Sequence, residues 1–205
     1  MISTKKVKRV FIIHGWDGDI KKNWFPWLKR ELTDKGFKVL MPQMPNPSQP
    51  KISVWVSILK SLVKDIDEDT YFIGHSIGCQ AILRFLQSLK TKKKIGGAIF
   101  ISGWFELKEF AYTESPALEM LVRRLAKPWI EKKLDFSRIK KMILPGKSIY
   151  LISDDDYYVD MKNSFVFQKL LGVKIIVEHH KGHYAESDGI RKMPIVVKEL
   201  LRISH

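Results

Sequence analysis

Cysteine is nearly absent from the 205-residue chain: Cys79 stands alone, so no internal disulfide can form, and a reducing compartment, by default the cytoplasm, is expected. Long apolar runs are missing as well. The run Val10–Ile13 that follows the basic N-terminal segment is too short for a signal h-region, and no segment reaches the roughly 18 to 20 apolar residues that cross a bilayer, so no membrane span is expected. Neither an internal repeat nor a low-complexity tract is present. Acidic side chains are comparatively scarce, 22 against 36 Lys and Arg, which leaves a net charge of +14. Such an excess is compatible with nucleic acid, an anionic membrane or an acidic partner, and distribution decides between them. The cations are spread along the whole chain. Their one tight run, Lys90 to Lys94 with Thr91 inside it, falls where a helix should hand over to a strand and reads as a solvated turn. No nucleic-acid partner is expected.

What is there is a hydrophobic fraction of 45%, of which 11% of the chain is aromatic, ample for one compact core in a single domain spanning residues 1–205. Short apolar runs alternate with segments of helical period, the pattern of βαβ units around a mostly parallel sheet of about six strands. Strands are predicted near Val7–Ile13, Phe37–Met41, Thr70–Gly74, Ala98–Ser102, Ser148–Ser153 and Val173–Val177. Trp24, Trp27, Leu28 and Glu31-Leu32 mark a first helix, and others are predicted over Ile52–Ile66, Ile77–Leu89 and Ile190–Leu201. The stretch from Glu106 to Gly146 is too long for a plain crossover. Leu118, Leu121, Val122 and Leu125 repeat there at helical spacing, Ser115-Pro116 makes a plausible N-cap and first turn, and Pro128 should stop or kink the helix. Residues 106–146 are therefore either a small cap over a site at the strand ends or a segment packed on one face of the sheet.

The chemistry is concentrated in Thr70-Tyr-Phe-Ile-Gly74-His75-Ser76-Ile77-Gly78-Cys79, a strand, a G-x-S-x-G turn and a helix start in that order. Reversing the chain so sharply strains the serine backbone and lifts its hydroxyl clear of the sheet edge, while glycines at 74 and 78 relieve crowding between helix and strand. A serine hydroxyl is a poor nucleophile at neutral pH and needs a base, with an acid holding that base in the right tautomer. Both are available in the order Ser, acid, His. Ile149–Ser153 leads into Asp154-Asp155-Asp156-Tyr157, and Val173–Val177 leads into Glu178-His179-His180-Lys181-Gly182-His183.

Three adjacent aspartates cannot all orient one imidazole. Asp156 is the choice, from its position just before Tyr157-Tyr158-Val159 in a G-x-x-D-x-x-V-like pattern with Ser153 replacing the glycine, and Asp155 is the next candidate. A carboxylate metal site would need further hard ligands, and no such set stands out, so neither metal nor other cofactor is expected. Among the six histidines, His205 is terminal, His75 sits within the turn, His14 precedes the first loop, and His179 and His180 fall at a strand end. His183 follows Gly182 in a loop able to arch over the strand ends toward Ser76.

A tetrahedral intermediate needs two fixed N–H donors for its oxyanion. Ile77, just after Ser76, is one candidate, and Trp16 in His14-Gly15-Trp16-Asp17-Gly18 after the first strand is the other. His14, Gly15, Trp104, Phe105 and Tyr157, all near predicted strand ends, are candidates for lining a substrate pocket. Gly146-Lys147-Ser148 resembles the end of a phosphate-binding loop, but that loop needs a glycine where Lys141 stands and must follow a strand, whereas this run precedes one.

Together His14-Gly15-Trp16, Asn23-Trp24-Phe25-Pro26-Trp27-Leu28, Met41-Pro42-Gln43-Met44-Pro45-Asn46-Pro47, Trp55, Gly74-His75-Ser76-Ile77-Gly78, Ser153-Asp154-Asp155-Asp156 and Gly182-His183 resemble the small serine hydrolases of the α/β-hydrolase superfamily that include YdeN and retinoblastoma-binding protein nine. The resemblance runs nearly end to end. It implies a three-layer α/β-hydrolase fold, a triad on Ser76, Asp156 and His183, and carboxylesterase-type activity on a small-molecule acyl ester. The pocket-protein partner implied by that family's name requires an L-x-C-x-E peptide, which this chain lacks. Two rivals stand beside this reading: a non-catalytic binding module with a basic surface, and amide hydrolysis or acyl transfer to another acceptor on the same triad.

Overall fold

The computed structural model describes residues 6–108 and 116–205. Six strands, β1 (Arg9–Ile13), β2 (Lys38–Leu40), β3 (Thr70–His75), β4 (Gly97–Ile101), β5 (Ser148–Ser153) and β6 (Lys174–Glu178), form one sheet in the order β2-β1-β3-β4-β5-β6. Every pairing is parallel. The inner strands β3, β4 and β5 are buried along their whole length, which is why they read as continuous apolar runs, whereas the edge strand β6 is half exposed.

Alternate residues of each strand feed the two faces of the sheet. Phe11, Ile13, Phe72, Ala98, Phe100, Tyr150 and Ile152 join one apolar cluster, to which α2 (Ile52–Leu62), α3 (Ile77–Ser88), α5 (Phe136–Lys141) and α6 (Lys162–Leu171) contribute. Val10, Ile12, Tyr71, Ile73, Ile99, Ile101, Ile149 and Leu151 meet α1 (Phe25–Asp34) and α7 (Pro194–Ile203) on the other face. The result is a helix–sheet–helix sandwich. From β1 the chain moves first to β2 on one side and then to β3 on the other, so the order reverses at β1/β3. Open parallel sheets bind ligands at the C-terminal edge beside such a reversal.

Two helices differ in extent from the sequence expectation. The second ends at Leu62, because Val63 leaves helical geometry with ψ of 70°. Val63 and Ile66 still reach the core from the loop beyond, which preserves the apolar period without the helix. The last helix starts at Pro194, where proline suits the first turn, rather than at Ile190.

In the 106–146 stretch α4 spans Pro116–Glu131 and runs through Pro128 instead of stopping there. Lys132 N–H still reaches Pro128 O, at 3.3 Å. The C-terminal end is anchored from outside: the buried Arg84 guanidinium donates to Trp129 O (2.5 Å) and Lys132 O (3.0 Å), and the Trp129 indole donates to Pro50 O (3.1 Å). Ser115, the expected N-cap, lies outside the described residues. Among the described residues no helix is long and apolar enough to cross a membrane.

Candidate active site

The turn between β3 and α3 is as sharp as the sequence requires. Ser76 has φ 51° and ψ −122°, a region that non-glycine residues rarely occupy. Its two flanking glycines allow the reversal. A Cβ on Gly78 would lie 2.4 Å from Ile13 O and 2.7 Å from His14 O, and one on Gly74 would lie 2.9 Å from the Cys79 backbone. Any side chain at either position would push α3 away from the sheet.

Ser76 and His183 line one cavity of about 490 Å³ at the C-terminal edge of the sheet, together with Gly15, Trp16, Trp104 and Tyr158. His183 Nδ1 lies 2.9 and 3.1 Å from the two Asp156 carboxylate oxygens, so Nδ1–H is the donor and Nε2 is left free to accept. Asp156 is buried and also accepts from the backbone N–H groups of Tyr158 and Val159, each at 2.9 Å. Burial opposes its ionisation, but the hydrogen bond and charge of His183, joined by further hydrogen bonds such as that from Val159 N–H, together hold the carboxyl below the usual carboxylate range. Among the described residues no hydrogen bond joins Ser76 Oγ to His183; that oxygen instead accepts from the Trp104 indole N–H at 3.3 Å.

The three consecutive aspartates divide the work of joining the β5 and β6 loops. Asp156 holds His183. Asp155 accepts from Ser153 Oγ (2.5 Å), Gly182 N (2.9 Å) and Lys181 N (3.1 Å), fixing the loop that carries His183. Asp154 takes His179 Nδ1 (2.5 Å) and His180 N (3.2 Å) at the surface. The loop is fastened from the elbow too, since His75 Nε2–H donates to His183 O at 2.8 Å. Buried against Trp24, Phe25 and His183, His75 has its pKa pushed down to about 3, first by burial and then by the charge of His183, so it stays neutral.

The loop after β1 lies directly against the elbow: a Cβ on Gly15 would stand 2.9 Å from His75 Nδ1 and 3.1 Å from Ser76 Cβ. His14 shapes this loop from below. Its Nδ1–H donates to Gly15 O (2.7 Å) while Nε2 accepts from Met44 N (2.8 Å), and burial lowers its pKa. Ile77 is the first residue of α3, where helix N–H groups have no intrahelical acceptor, and among the described residues the Trp16 N–H has no partner either.

Of the residues expected to line a pocket, Gly15 and Trp104 do so. His14 is fully buried beneath the loop, Phe105 packs on Phe136 and Phe167, and Tyr157 points outward to hydrogen-bond Ser187 and Asp188; none of the three lines the cavity. Tyr158 takes the place expected of Tyr157, its ring edge-on to His183 at 4.9 Å. Sequence reasoning did not single out Tyr158, Lys22, Asn23, Glu186 or Ser187, all of which line the cavity. Tyr158 carried a signal in its place two residues after Asp156, and Asn23 in the segment that bears the family resemblance. Val122 of α4 also borders the cavity, whereas Ala126 and Trp129 of that helix are buried in the core, Trp129 against Trp55 of α2 and Arg84 of α3.

The profile of the serine hydrolase family matches residues 10–202. The chain is 32% identical over 189 residues to the YdeN hydrolase of Bacillus subtilis (strain 168), covering 92% of each protein, and 25% identical over 198 residues to serine hydrolase RBBP9 of Rattus norvegicus, covering 95% of each. The crystal structure of the ydeN gene product superposes with a TM-score of 0.84 at 29% identity, over 96% of this chain and 98% of that one. With that sandwich, that elbow and that profile match over nearly its whole length, the chain belongs to the serine hydrolase family and has the α/β-hydrolase fold.

Proposed function

We propose that the protein is a carboxylesterase-type serine hydrolase acting on short acyl esters, with Ser76 as nucleophile, His183 as general base and Asp156 as the acid that orients it. One observation carries this reading. A serine in a strained elbow and an imidazole already held in the accepting tautomer by a buried carboxylate face the same cavity.

In the first half-reaction Ser76 Oγ attacks the ester carbonyl carbon as its proton passes to His183 Nε2. The carbonyl electron pair moves onto oxygen, where the N–H groups of Ile77 and Trp16 receive it. Collapse expels the alcohol, which takes the proton back from His183. Water then repeats the sequence on the acyl-enzyme and releases the acid. Asp156, with hydrogen bonds to spare, stabilises the imidazolium that forms in each half. Charge moves only within the site, so no cofactor enters the scheme. The cavity volume suits a short acyl group and a modest alcohol. The residues of 106–146 that border it act as a small cap.

Hydrolysis of p-nitrophenyl acetate, butyrate, octanoate and the matching anilide tests the reading. Turnover should be highest on the short esters, weak on the anilide, and should fall on the order of 10⁴-fold in Ser76→Ala. Anilide turnover matching the esters would shift the assignment to amide bonds, and activity unchanged in Ser76→Ala would remove it.

A further inference from the structure

The hydrogen bond received by Ser76 is unexpected in its source. A resting serine nucleophile needs its proton directed at the base, yet its oxygen retains lone pairs that can accept. Here the acceptor role is filled by a side chain, the Trp104 indole N–H at 3.3 Å, and among the described residues this is the only hydrogen bond to that oxygen. The other indoles hydrogen-bonded among the described residues donate differently. Those of Trp16, Trp24, Trp55 and Trp129 all go to backbone carbonyls.

Trp104 is also held more firmly than cavity lining requires. It is 1% exposed, and the loop that carries it is fastened on three sides. Gln80 Nε2 donates to Trp104 O at 2.6 Å, Tyr150 OH donates to Gly103 O at 2.6 Å, and Asn163 Oδ1 accepts from Phe105 N and Glu106 N at 2.8 and 3.2 Å. Gly103 admits no side chain, since a Cβ would sit 2.9 Å from Cys79 Cβ and 2.8 Å from the Phe167 ring. The indole nitrogen is therefore aimed at Ser76 before substrate arrives.

We infer that Trp104 is a catalytic donor to the nucleophile oxygen itself, separate from the pair that receives the carbonyl oxygen. As the Ser76 proton leaves for His183 Nε2, negative charge builds on Oγ. A hydrogen bond to a developing anion is worth more than one to a neutral hydroxyl, and both Ser76 and Trp104 are buried, so this contact strengthens on the way to the transition state. Once the Oγ–C bond has formed, Oγ is an ester oxygen and a poor acceptor. When it departs again in deacylation it recovers charge, and the same N–H meets it. Trp104 transfers no proton in either direction. With the acceptor position of Oγ occupied, the hydroxyl hydrogen is left to point toward the imidazole.

The inference rests on Ser76 being the nucleophile, and Trp104→Phe separates the two ideas. Phenylalanine keeps the aromatic bulk and removes the N–H. The rate constant for fluorophosphonate labelling, which reads Ser76 without an ester substrate, should fall by about tenfold or more, with kcat for p-nitrophenyl acetate falling in step and KM changing little. A merely space-filling tryptophan would instead alter KM and acyl preference and leave the labelling rate alone. Wild-type protein that does not label at all would refute the nucleophile assignment. Normal wild-type labelling with an equal or faster rate in Trp104→Phe would overturn only the role given to Trp104. If that variant fails to fold, the indole N–H resonances of wild-type and Ser76→Ala protein decide: loss of Oγ should move one indole signal upfield, and a spectrum with no moved indole would overturn the inference.

Discussion

Acid should weaken this fold through His75 well before its carboxylates titrate. The ring is 7% exposed, enclosed by Trp24, Phe25 and His183, and its pKa in the fold is about 3, against 6.5 for the free side chain. A depressed folded pKa means that the unfolded chain binds this proton more readily. Stability is therefore complete above pH 6.5 and is lost as the pH falls from 6.5 toward 3. Each pH unit in that window costs about 1.4 kcal/mol, so roughly 2 kcal/mol is gone at pH 5 from this one side chain. His14 shifts the same way and adds to the loss. His75→Gln retains an N–H donor for His183 O but has nothing to titrate. Urea unfolding at pH 7.5 and 5.0 should show wild type losing about 2 kcal/mol more than His75→Gln between the two conditions. The His14 contribution, common to both proteins, cancels in that difference. Equal losses would refute the claim that a neutral imidazole is enforced at this position.

Other perturbations have equally definite outcomes. Gly78→Ala places a methyl carbon against Ile13 O and His14 O, two backbone atoms with nowhere to move, and should cost on the order of 3 kcal/mol in chemical denaturation while reducing ester turnover. Asp156→Asn leaves the volume intact but offers His183 an amide in place of a carboxylate; kcat should drop about 10⁴-fold with the circular-dichroism spectrum unchanged. A drop of less than tenfold would show that another group orients the imidazole. Because His183 must be neutral at Nε2 to accept a proton, kcat/KM for a p-nitrophenyl ester should rise with pH and level off. A falling profile would contradict its role as base.

The sheet was legible because its inner strands are apolar on both faces, and Thr70 to Ala81 announces a strand, a turn and a helix in a dozen letters. Chain order places the candidate serine, acid and histidine after separate parallel strands, whose C-terminal ends share one edge, while Asp156 is preferred among three aspartates by the pattern before Val159 and His183 by its place in the loop after Gly182. What the sequence hides is side-chain direction within loops. Tyr157 and Tyr158 are chemically equivalent in the text, but the backbone N–H groups of Tyr158 and Val159 that bind Asp156 set the turn, and the turn sends Tyr158 inward and Tyr157 out. His14 looked like a pocket residue because it ends a strand, whereas its two ring nitrogens are spent on Gly15 O and Met44 N, and Met44 is thirty residues away. Pro128 does not stop its helix for a related reason: proline removes one helix hydrogen bond, and Arg84, distant in sequence, fastens the carbonyls beyond it.

Everything proposed for this site depends on His183 making Ser76 reactive. An alkyl fluorophosphonate carrying a reporter, incubated with native protein at neutral pH and mapped by peptide mass spectrometry, measures this most directly. One adduct is expected, on Ser76, formed rapidly by wild type and lost in His183→Ala. Labelling that persists in His183→Ala, or an adduct on any other residue with Ser76 unmodified, would contradict it.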